Sequence, residues 1–258
     1  RFLYPRCKYE HKDNPYRRYR LSRSNTARTY KKILALKEAC HLDKLKAINF
    51  ELTFDKDLSN WLGPQPGGID MAWRLLPKWL DNCLAPLMPE HSTMALWVTL
   101  HFWSTDDPKV YHFHFHGFLL NYVEMPASDD PEHPQSRPFR ERPFPINEDG
   151  KRVPFTKADL KWLRWGSRKA QRQLAERHHV DCPSLNQDEE TDFYVQYLDF
   201  NKEADVPRII NRLKYMKRPP IVDYAKASNK NPDYPWATEQ ILRYSTPMRT
   251  FGYARRLK

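Results

Sequence analysis

The chain has no long apolar run. No stretch of eighteen or more consecutive apolar residues occurs among its 258 residues, and no basic-then-apolar segment typical of secretory signals opens it. These absences argue against a membrane-spanning or secreted protein, so we expect a cytoplasmic protein with no membrane partner. Because the chain begins with Arg1 rather than Met, we also expect the native protein to start further upstream.

Cysteine is scarce and poorly spaced for a metal site. The four cysteines stand at positions 7, 40, 83 and 182, so no two have the short spacing of a zinc knuckle. Without a secretion signal, we expect them to stay reduced. Two groups remain candidates for half of a zinc site, namely Cys7 with His11, and His178 and His179 with Cys182.

Acidic residues are missing from two basic segments. The chain carries 43 Lys and Arg against 32 Asp and Glu, a formal net charge of +11. Residues 208–218 and residues 243–258 each contain five basic residues and no acidic one. Residues 1–32 add 11 basic residues against two acidic ones, with tyrosines between them. Such segments favour a polyanionic partner, and aromatic residues among the cations are typical of nucleic-acid surfaces.

The apolar content, 40% of residues, is enough for a folded core. Alternating patterns predict strands over residues 47–54, 95–103, 110–120 and 193–200, and the second and third form an antiparallel hairpin. Helical spacing predicts helices over 26–39, 69–84, 156–174 and 206–218, the third with a Thr156–Asp159 capping box. This order predicts an α+β fold, in which helices flank a central antiparallel sheet.

Charge and proline content divide the chain into three parts. Residues 1–46 are predicted to be a basic N-terminal extension, residues 47–223 the core, and residues 224–258 a basic C-terminal segment. Within the core, residues 125–155 form a proline-rich loop, a length that inside a domain is often functional. No internal repeat is present.

Three histidines alternate with large apolar residues on the third predicted strand. Because successive side chains of a strand point to opposite faces, His112, His114 and His116 share one face. Neutral imidazole is the commonest side-chain metal ligand, so this pattern predicts a metal or phosphate site. The alternative is an aromatic strand whose polar face happens to carry histidine.

The last predicted helix has an apolar stripe of Ile209, Leu213 and Met216. Its other face carries Arg208, Asn211, Arg212, Tyr215 and Arg218 at three- and four-residue spacing. A tyrosine acts as a nucleophile only where positive charge or a metal stabilises phenolate, and this helix offers that setting. The alternative is a tyrosine at the edge of a helix interface.

These segments together resemble the rolling-circle replication initiators of the histidine-hydrophobe-histidine (HUH) superfamily, particularly the archaeal plasmid type, and the related single-strand transposases. The resemblance covers residues 100–103 and 111–116 followed by Gly-Phe-Leu-Leu, the tyrosine segment 212–221, and the strand and turn 50–58. The three motifs occur in the family's order.

The resemblance implies a ferredoxin-like or RRM-like sheet. It also implies site-specific nicking and rejoining of single-stranded DNA at a replication origin, with the host replication machinery as a partner. Tyr215 would form a 5′-phosphotyrosine, and His114 and His116 would hold Mn²⁺ or Mg²⁺. The DNA would lie on basic residues of the tyrosine segment, namely Arg208, Arg212, Lys214, Lys217 and Arg218.

A hard cation needs a third ligand, preferably an oxygen. Glu51 is the first choice because it lies on the polar face of the first strand. His112 is the second choice, and His101, which shares the hairpin, is the third.

One position departs from the family. Asn211 stands where relatives place a second tyrosine or an acidic residue, and an amide can neither attack nor take a proton. A base would therefore come from Asp199, Glu203 or Asp205, or from a metal-bound water.

Two other classes fit part of the pattern. The segment His112–Phe118 also resembles the histidine triad of small nucleotide hydrolases, which need no metal. A non-catalytic DNA-binding module that retains the motif is the other alternative.

Overall fold

Six strands form one antiparallel sheet in the computed structural model, which describes residues 15–65, 67–103, 111–126, 139–142, 144–186, 193–217 and 248–257. The strands are β1 (Lys46–Thr53), β2 (Thr93–Trp103), β3 (Tyr111–Glu124), β4 (Phe139–Glu141), β5 (Phe193–Asp199) and β6 (Met248–Gly252). The helices in these ranges are α1 (Pro15–Ala39), α2 (Lys56–Leu62), α3 (Gly68–Trp79), α4 (Lys157–Arg177) and α5 (Val206–Lys217).

Strand β3 lies at the centre of the sheet. The order is β5-β1-β3-β2-β6, and β4 pairs with the end of β3 beyond the pairing with β1. The predicted hairpin of β2 and β3 is confirmed, and its register places His101 opposite His114. On the other side of β3, Glu51 of β1 lies opposite His116. The predicted α+β fold with a central antiparallel sheet flanked by helices is confirmed.

Each face of the sheet packs against its own helices. On the first face, the alternate β1 residues Ile48, Phe50 and Leu52 pack with apolar residues of α2, α3 and α4. On the second face, Ala47 belongs to a separate cluster with residues of α1 and α5. The alternation predicted for β1 is therefore confirmed, because its two sets of side chains belong to two separate cores.

The N-terminal helix is longer than predicted. It begins at Pro15, whereas the apolar spacing predicted Thr26. The physical reason is that residues 16–39 contain no proline or glycine, and Pro15 itself is tolerated at the first helical position. Ile33 and Leu36 of α1 are buried in the second core. Part of the predicted extension is therefore packed on the sheet.

Two strands, β4 and β6, were not predicted from the sequence. Strand β6 pairs with β2, although residues 224–258 were assigned to a basic segment on charge alone. Strand β4 lies inside the proline-rich loop and pairs with Tyr122, Val123 and Glu124 of β3. Both are short, so their alternation is too brief to recognise in the sequence.

The predicted helices 69–84 and 156–174 are confirmed with small differences. Helix α3 passes at Leu80 into a π-helical turn that ends at Leu84. Helix α4 begins with the predicted capping box, in which the Thr156 side chain accepts from the Asp159 amide and the Asp159 carboxylate accepts from the Thr156 amide. In the part of the chain that the structure describes, no helix has the length and apolar character that crossing a membrane requires.

Gly117, directly after the histidines, leaves room for an aromatic ring. A Cβ atom at this position would lie 2.0 Å from Cζ of Phe50, its cross-strand neighbour. The Phe50 ring is buried and packs on Trp79 and Phe193, so it has little freedom to move.

We expect Gly117→Ala to lower the free energy of unfolding by about 1–3 kcal/mol, because the new methyl group overpacks the core. Thermal and urea unfolding measure this loss. In a Phe50→Leu background, where the ring is absent, the same substitution should cost clearly less. Equal costs in the two backgrounds would contradict the proposed clash.

Candidate metal centre

Three histidines from two neighbouring strands converge on the second face of the sheet. His114 and His116 come from β3 and His101 from β2, and their ring centroids lie 4.6 to 5.2 Å apart. One nitrogen from each ring can be chosen so that the three atoms all lie within 4.8 Å of one another. This spacing would allow one metal ion to bind all three rings.

Two of the three histidines are buried, and His114 has the protonation state that a metal ligand needs. His114 is 8% exposed and His116 is 5% exposed. Burial lowers the pKa of His114 well below its usual value of 6.5, and the neighbouring His116 and His112 lower it further, against a smaller opposing effect of the His112 backbone. His114 is therefore neutral at physiological pH, with a lone pair available to a cation.

Tyr215 lies against the histidines because of the way α5 packs. The predicted stripe of Ile209, Leu213 and Met216 is buried in the second core. This packing directs Tyr215, at the edge of the stripe, toward the three histidines. Its hydroxyl oxygen lies 2.9 Å from Nδ1 of His101, and its ring centroid lies 4.9 Å from that of His116. The predicted nucleophile and the predicted metal ligands are thus brought together from segments about a hundred residues apart.

Each histidine has a polar partner at Nδ1. Nδ1 of His114 lies 3.1 Å from the backbone oxygen of His112, and Nδ1 of His116 lies 3.5 Å from Oε2 of Glu51. Nδ1 of His101 faces the Tyr215 hydroxyl. A carbonyl or carboxylate oxygen beside Nδ1 favours the tautomer with the proton on Nδ1, which leaves the lone pair on Nε2. For His114, a cation would therefore bind through Nε2. Glu51 lies at ion-pair distance from His116 and accepts no hydrogen bond from its ring.

Glu51 and His112 form a second candidate set with His114. One atom from each of these residues also fits within 4.8 Å of the others. All three predicted candidates for the third ligand therefore lie beside the histidine pair: Glu51 and His101 on opposite sides of β3, and His112 on β3 itself. The donor sets differ in kind, because the first offers three imidazoles and the second includes a carboxylate.

The predicted DNA-binding cations are only partly described. Arg208 and Lys214 are exposed on α5, and Arg212 is half-buried. Arg208 lies 3.6 Å from the Asp205 carboxylate, one turn before it. The side chain of Lys217 and the whole of Arg218 lie outside the described residues.

The carboxylates suggested as a base lie at the other end of the helix. Asp205 accepts a hydrogen bond from the Asp199 amide, and Asp199 accepts one from the Asn201 amide. Because ten residues of helix rise about 15 Å, Asp205 is far from Tyr215 along α5. These acids cap the turn between β5 and α5.

The two candidate zinc halves receive no support from the described residues. Cys182 is buried, and burial together with Asp55, Asp57 and Asp181 raises the pKa of its thiol to about 11. In the metal-free protein it is therefore a thiol, and among the described residues no group of three possible metal ligands includes it. His178 packs instead on Trp61, with ring centroids 5.1 Å apart. Cys7 and His11 lie outside the described residues.

Comparisons with known proteins identify no relative. No family model, no curated protein and no solved structure matches this chain.

The pKa of His114 predicts how stability depends on pH in the metal-free protein. Between the lowered folded pKa and the unfolded value of 6.5, the unfolded chain binds one proton more than the folded one. The contribution of His114 to the free energy of unfolding is therefore fully present above pH 6.5. It falls as the pH drops below this value, by up to about 1.4 kcal/mol per pH unit. Urea unfolding in EDTA between pH 7.5 and about 5 measures this slope.

The matched variant is His114→Gln, which keeps a polar side chain but cannot titrate. We expect its stability to fall less steeply over the same range. A slope identical to that of the wild-type protein would show that other groups cause the pH dependence.

Proposed function

We propose that the chain is a metal-dependent nickase and ligase of single-stranded DNA, which uses Tyr215 as its nucleophile. The observation that carries this proposal is the position of the Tyr215 hydroxyl, 2.9 Å from Nδ1 of a histidine in the candidate metal group. Phosphodiester transfer to a tyrosine requires a nucleophile beside a cation that polarises the phosphate. A tyrosine placed at random on a helix surface would not be expected to meet this requirement.

Three imidazoles fit a cation, and we assign the third position to His101 rather than Glu51. The contact of Nδ1 of His114 with the His112 backbone oxygen leaves Nε2 of that ring for the metal, and Oε2 of Glu51 lies 3.5 Å from Nδ1 of His116. Glu51, at Nδ1 of His116, has the place of the carboxylates that orient metal-binding histidines. In this assignment Glu51 acts on the metal through His116, and the predicted ligand pair His114 and His116 is retained.

The donor set favours Mn²⁺ over Mg²⁺. Imidazole is a poor ligand for Mg²⁺, which prefers oxygen, whereas transition metals accept nitrogen readily. The bound cation would supply a Lewis acid for the scissile phosphate. Among the divalent cations expected from the sequence, Mn²⁺ is therefore the proposed cofactor.

His101 would connect the metal to the nucleophile. If its Nε2 lone pair binds the cation, Nδ1 keeps the ring proton and donates it in a hydrogen bond to the Tyr215 oxygen. That bond favours the phenolate form, which is the nucleophilic one. The absence of a second tyrosine or an acidic residue at position 211 is then less damaging, because His101 rather than a neighbouring residue of α5 would stabilise the phenolate.

The transfer conserves bonds and needs no external energy source. The Tyr215 oxygen forms a bond to phosphorus, and the bond from phosphorus to the 3′ oxygen breaks. The 3′ oxygen leaves as a hydroxyl after taking a proton, and the tyrosine proton passes to solvent. The 5′ phosphate stays on Tyr215, so the reverse reaction can reseal a strand.

A single-stranded substrate fits the surroundings of the site. Arg208 and Lys214 of α5 are exposed for phosphate contacts. Tyr194 of β5 lies opposite Glu51 in the sheet, so it shares the histidine face, and it is 56% exposed. An exposed ring of this kind can stack on an unpaired base. Initiation of rolling-circle replication, with host replication proteins, is the cellular role proposed; single-strand transposition would use the same chemistry.

The nucleophile is tested with Tyr215→Phe, which removes only the hydroxyl group. Wild-type protein is incubated with Mn²⁺ and a labelled library of single-stranded oligonucleotides. We expect cleaved product and a covalent protein–DNA adduct on Tyr215, located by mass spectrometry, and a loss of at least about 10³-fold in the variant because the nucleophile is gone.

The other tyrosine on this face provides the matched control. Tyr194→Phe also removes one hydroxyl group but should still nick, because only its ring is used. Equal nicking by wild type and Tyr215→Phe would exclude Tyr215 as the nucleophile. Cleavage of mononucleotide phosphoramidates without metal would favour the histidine-triad hydrolase, and binding without any product would favour the DNA-binding module.

The identity of the third ligand is tested by the affinity for Mn²⁺, measured by calorimetry or electron paramagnetic resonance. We expect His101→Gln to weaken Mn²⁺ binding by more than about 100-fold, since a direct ligand is lost. Glu51→Gln should weaken it by about 10- to 100-fold, the range typical of residues that orient a ligand. The reverse order would assign the third position to Glu51. Comparable affinity for Mg²⁺ and Mn²⁺ would contradict the nitrogen-rich donor set.

A further inference from the structure

Two tryptophans are stacked on the outer surface of α4. Trp162 and Trp165 are 41% and 49% exposed, and their ring centroids lie 5.0 Å apart with an angle of 24° between the rings. Adjacent exposed aromatic rings surrounded by polar residues are typical of a binding surface. The metal site does not use this pair, because α4 packs on the first face of the sheet and the histidines lie on the second.

The tryptophans lie in a stripe of positive charge. Helix α4 contains seven basic residues and two acidic ones. Lys161, Trp165, Lys169 and Arg172 are all exposed, and their three- and four-residue spacing places them on one side of the helix. Nζ of Lys169 lies 4.8 Å from the centroid of the Trp165 ring, a cation–π contact.

The helix holds this surface in a fixed position. Nε1 of Trp162 donates a hydrogen bond to the backbone oxygen of Cys83, at 3.2 Å. Nε1 of the buried Trp79 donates to the backbone oxygen of Leu163, at 2.9 Å. Gly166, which follows Trp165, lies so close to Cys83 that a Cβ atom there would be 2.0 Å from its sulfur. The indole pair therefore stands on a well-anchored turn of α4.

We propose that this surface of α4 binds single-stranded nucleic acid, with bases stacked on the Trp165–Trp162 pair and phosphates on Lys161 and Lys169, beside an Arg172 that also donates to the backbone oxygen of Leu185. Stacking on aromatic rings beside a cationic track is the way single strands are bound without sequence readout. The surface is a second binding site, on the opposite face of the sheet from Tyr215, and it does not depend on the chemistry proposed there.

Charge favours nucleic acid over a protein partner. The core of a protein interface is depleted of charged residues, and lysine is particularly rare there. Here the exposed apolar area is confined to two indoles, with lysines on both sides along the helix. The chain as a whole carries a formal charge of +11, so a polyanion would be attracted over the whole surface.

The binding site is located by photocross-linking in a Tyr215→Phe background with EDTA, so that no cleavage occurs. A short oligothymidylate that contains 5-iododeoxyuridine is irradiated with the protein, and the modified peptides are identified by mass spectrometry. We expect cross-links at Trp162 or Trp165. Cross-links confined to α5 and the histidine face would overturn the proposal.

The role of stacking is measured with Trp165→Leu, which keeps an apolar side chain but loses the aromatic ring. We expect affinity for the oligothymidylate, measured by fluorescence anisotropy, to fall about fivefold or more, with cross-linking to α4 lost. Trp165→Phe, which keeps a ring, and Gln173→Ala, on the same exposed side, should bind within about twofold of the parent. Circular dichroism and thermal melting check that all variants are folded.

Two results would contradict nucleic-acid binding at α4. One is unchanged affinity and unchanged cross-linking in Trp165→Leu. The other is concentration-dependent self-association in sedimentation that Trp165→Leu abolishes while oligothymidylate binding is unaffected, since the surface would then serve a second copy of the chain. Because neither readout involves nicking, failure here leaves the test of Tyr215 unaffected.

Discussion

The position of the candidate site depends on how α5 packs against one face of the sheet. That face has an apolar half, where Phe118 of β3 and Trp97 of β2 meet Leu213 of α5, and a polar half, where the histidines lie. Both halves belong to the same strands, since residues 112, 114, 116 and 118 of β3 alternate onto one face. Burial of the apolar stripe of α5 therefore sets the distance from Tyr215 to the histidines, and a shift of that helix would separate Tyr215 from the candidate metal ligands.

Burying the histidines is costly, and the structure shows how the cost is limited. A charged imidazole would have to leave water, and the lowered pKa of His114 reflects the response, which is to stay neutral. Polar partners at Nδ1, the His112 carbonyl and the Glu51 carboxylate, orient the two buried rings. If β3 served only as an aromatic strand of the core, buried histidines with polar partners would not be required. In the proposed function, a cation would bind the lone pair that burial keeps unprotonated on His114.

The sheet also separates two surfaces that differ in chemistry. The histidine face combines candidate metal ligands with a tyrosine, whereas α4 on the other face offers paired indoles among cations. A nucleic-acid strand bound at both surfaces would have to pass around an edge of the sheet. One such edge is β5, which contacts α4 and carries the exposed Tyr194 on the histidine face. The two proposals stand on different residues, but together they are consistent with a protein that holds a single strand away from the position where it is cut.

Local patterns determined much of the fold and half of the site. Period-two alternation predicted β1, β2, β3 and β5 and the shared face of His112, His114 and His116, because side-chain direction along a strand is a local property. Helical spacing likewise predicted the buried stripe of α5 and left Tyr215 outside it. The register between strands is not local, so only the tertiary structure could bring His101 opposite His114, place Glu51 at His116, and add β6 to the sheet. For the same reason, the 2.9 Å contact between Tyr215 and His101 was decided by packing between distant segments, which no spacing within either segment encodes.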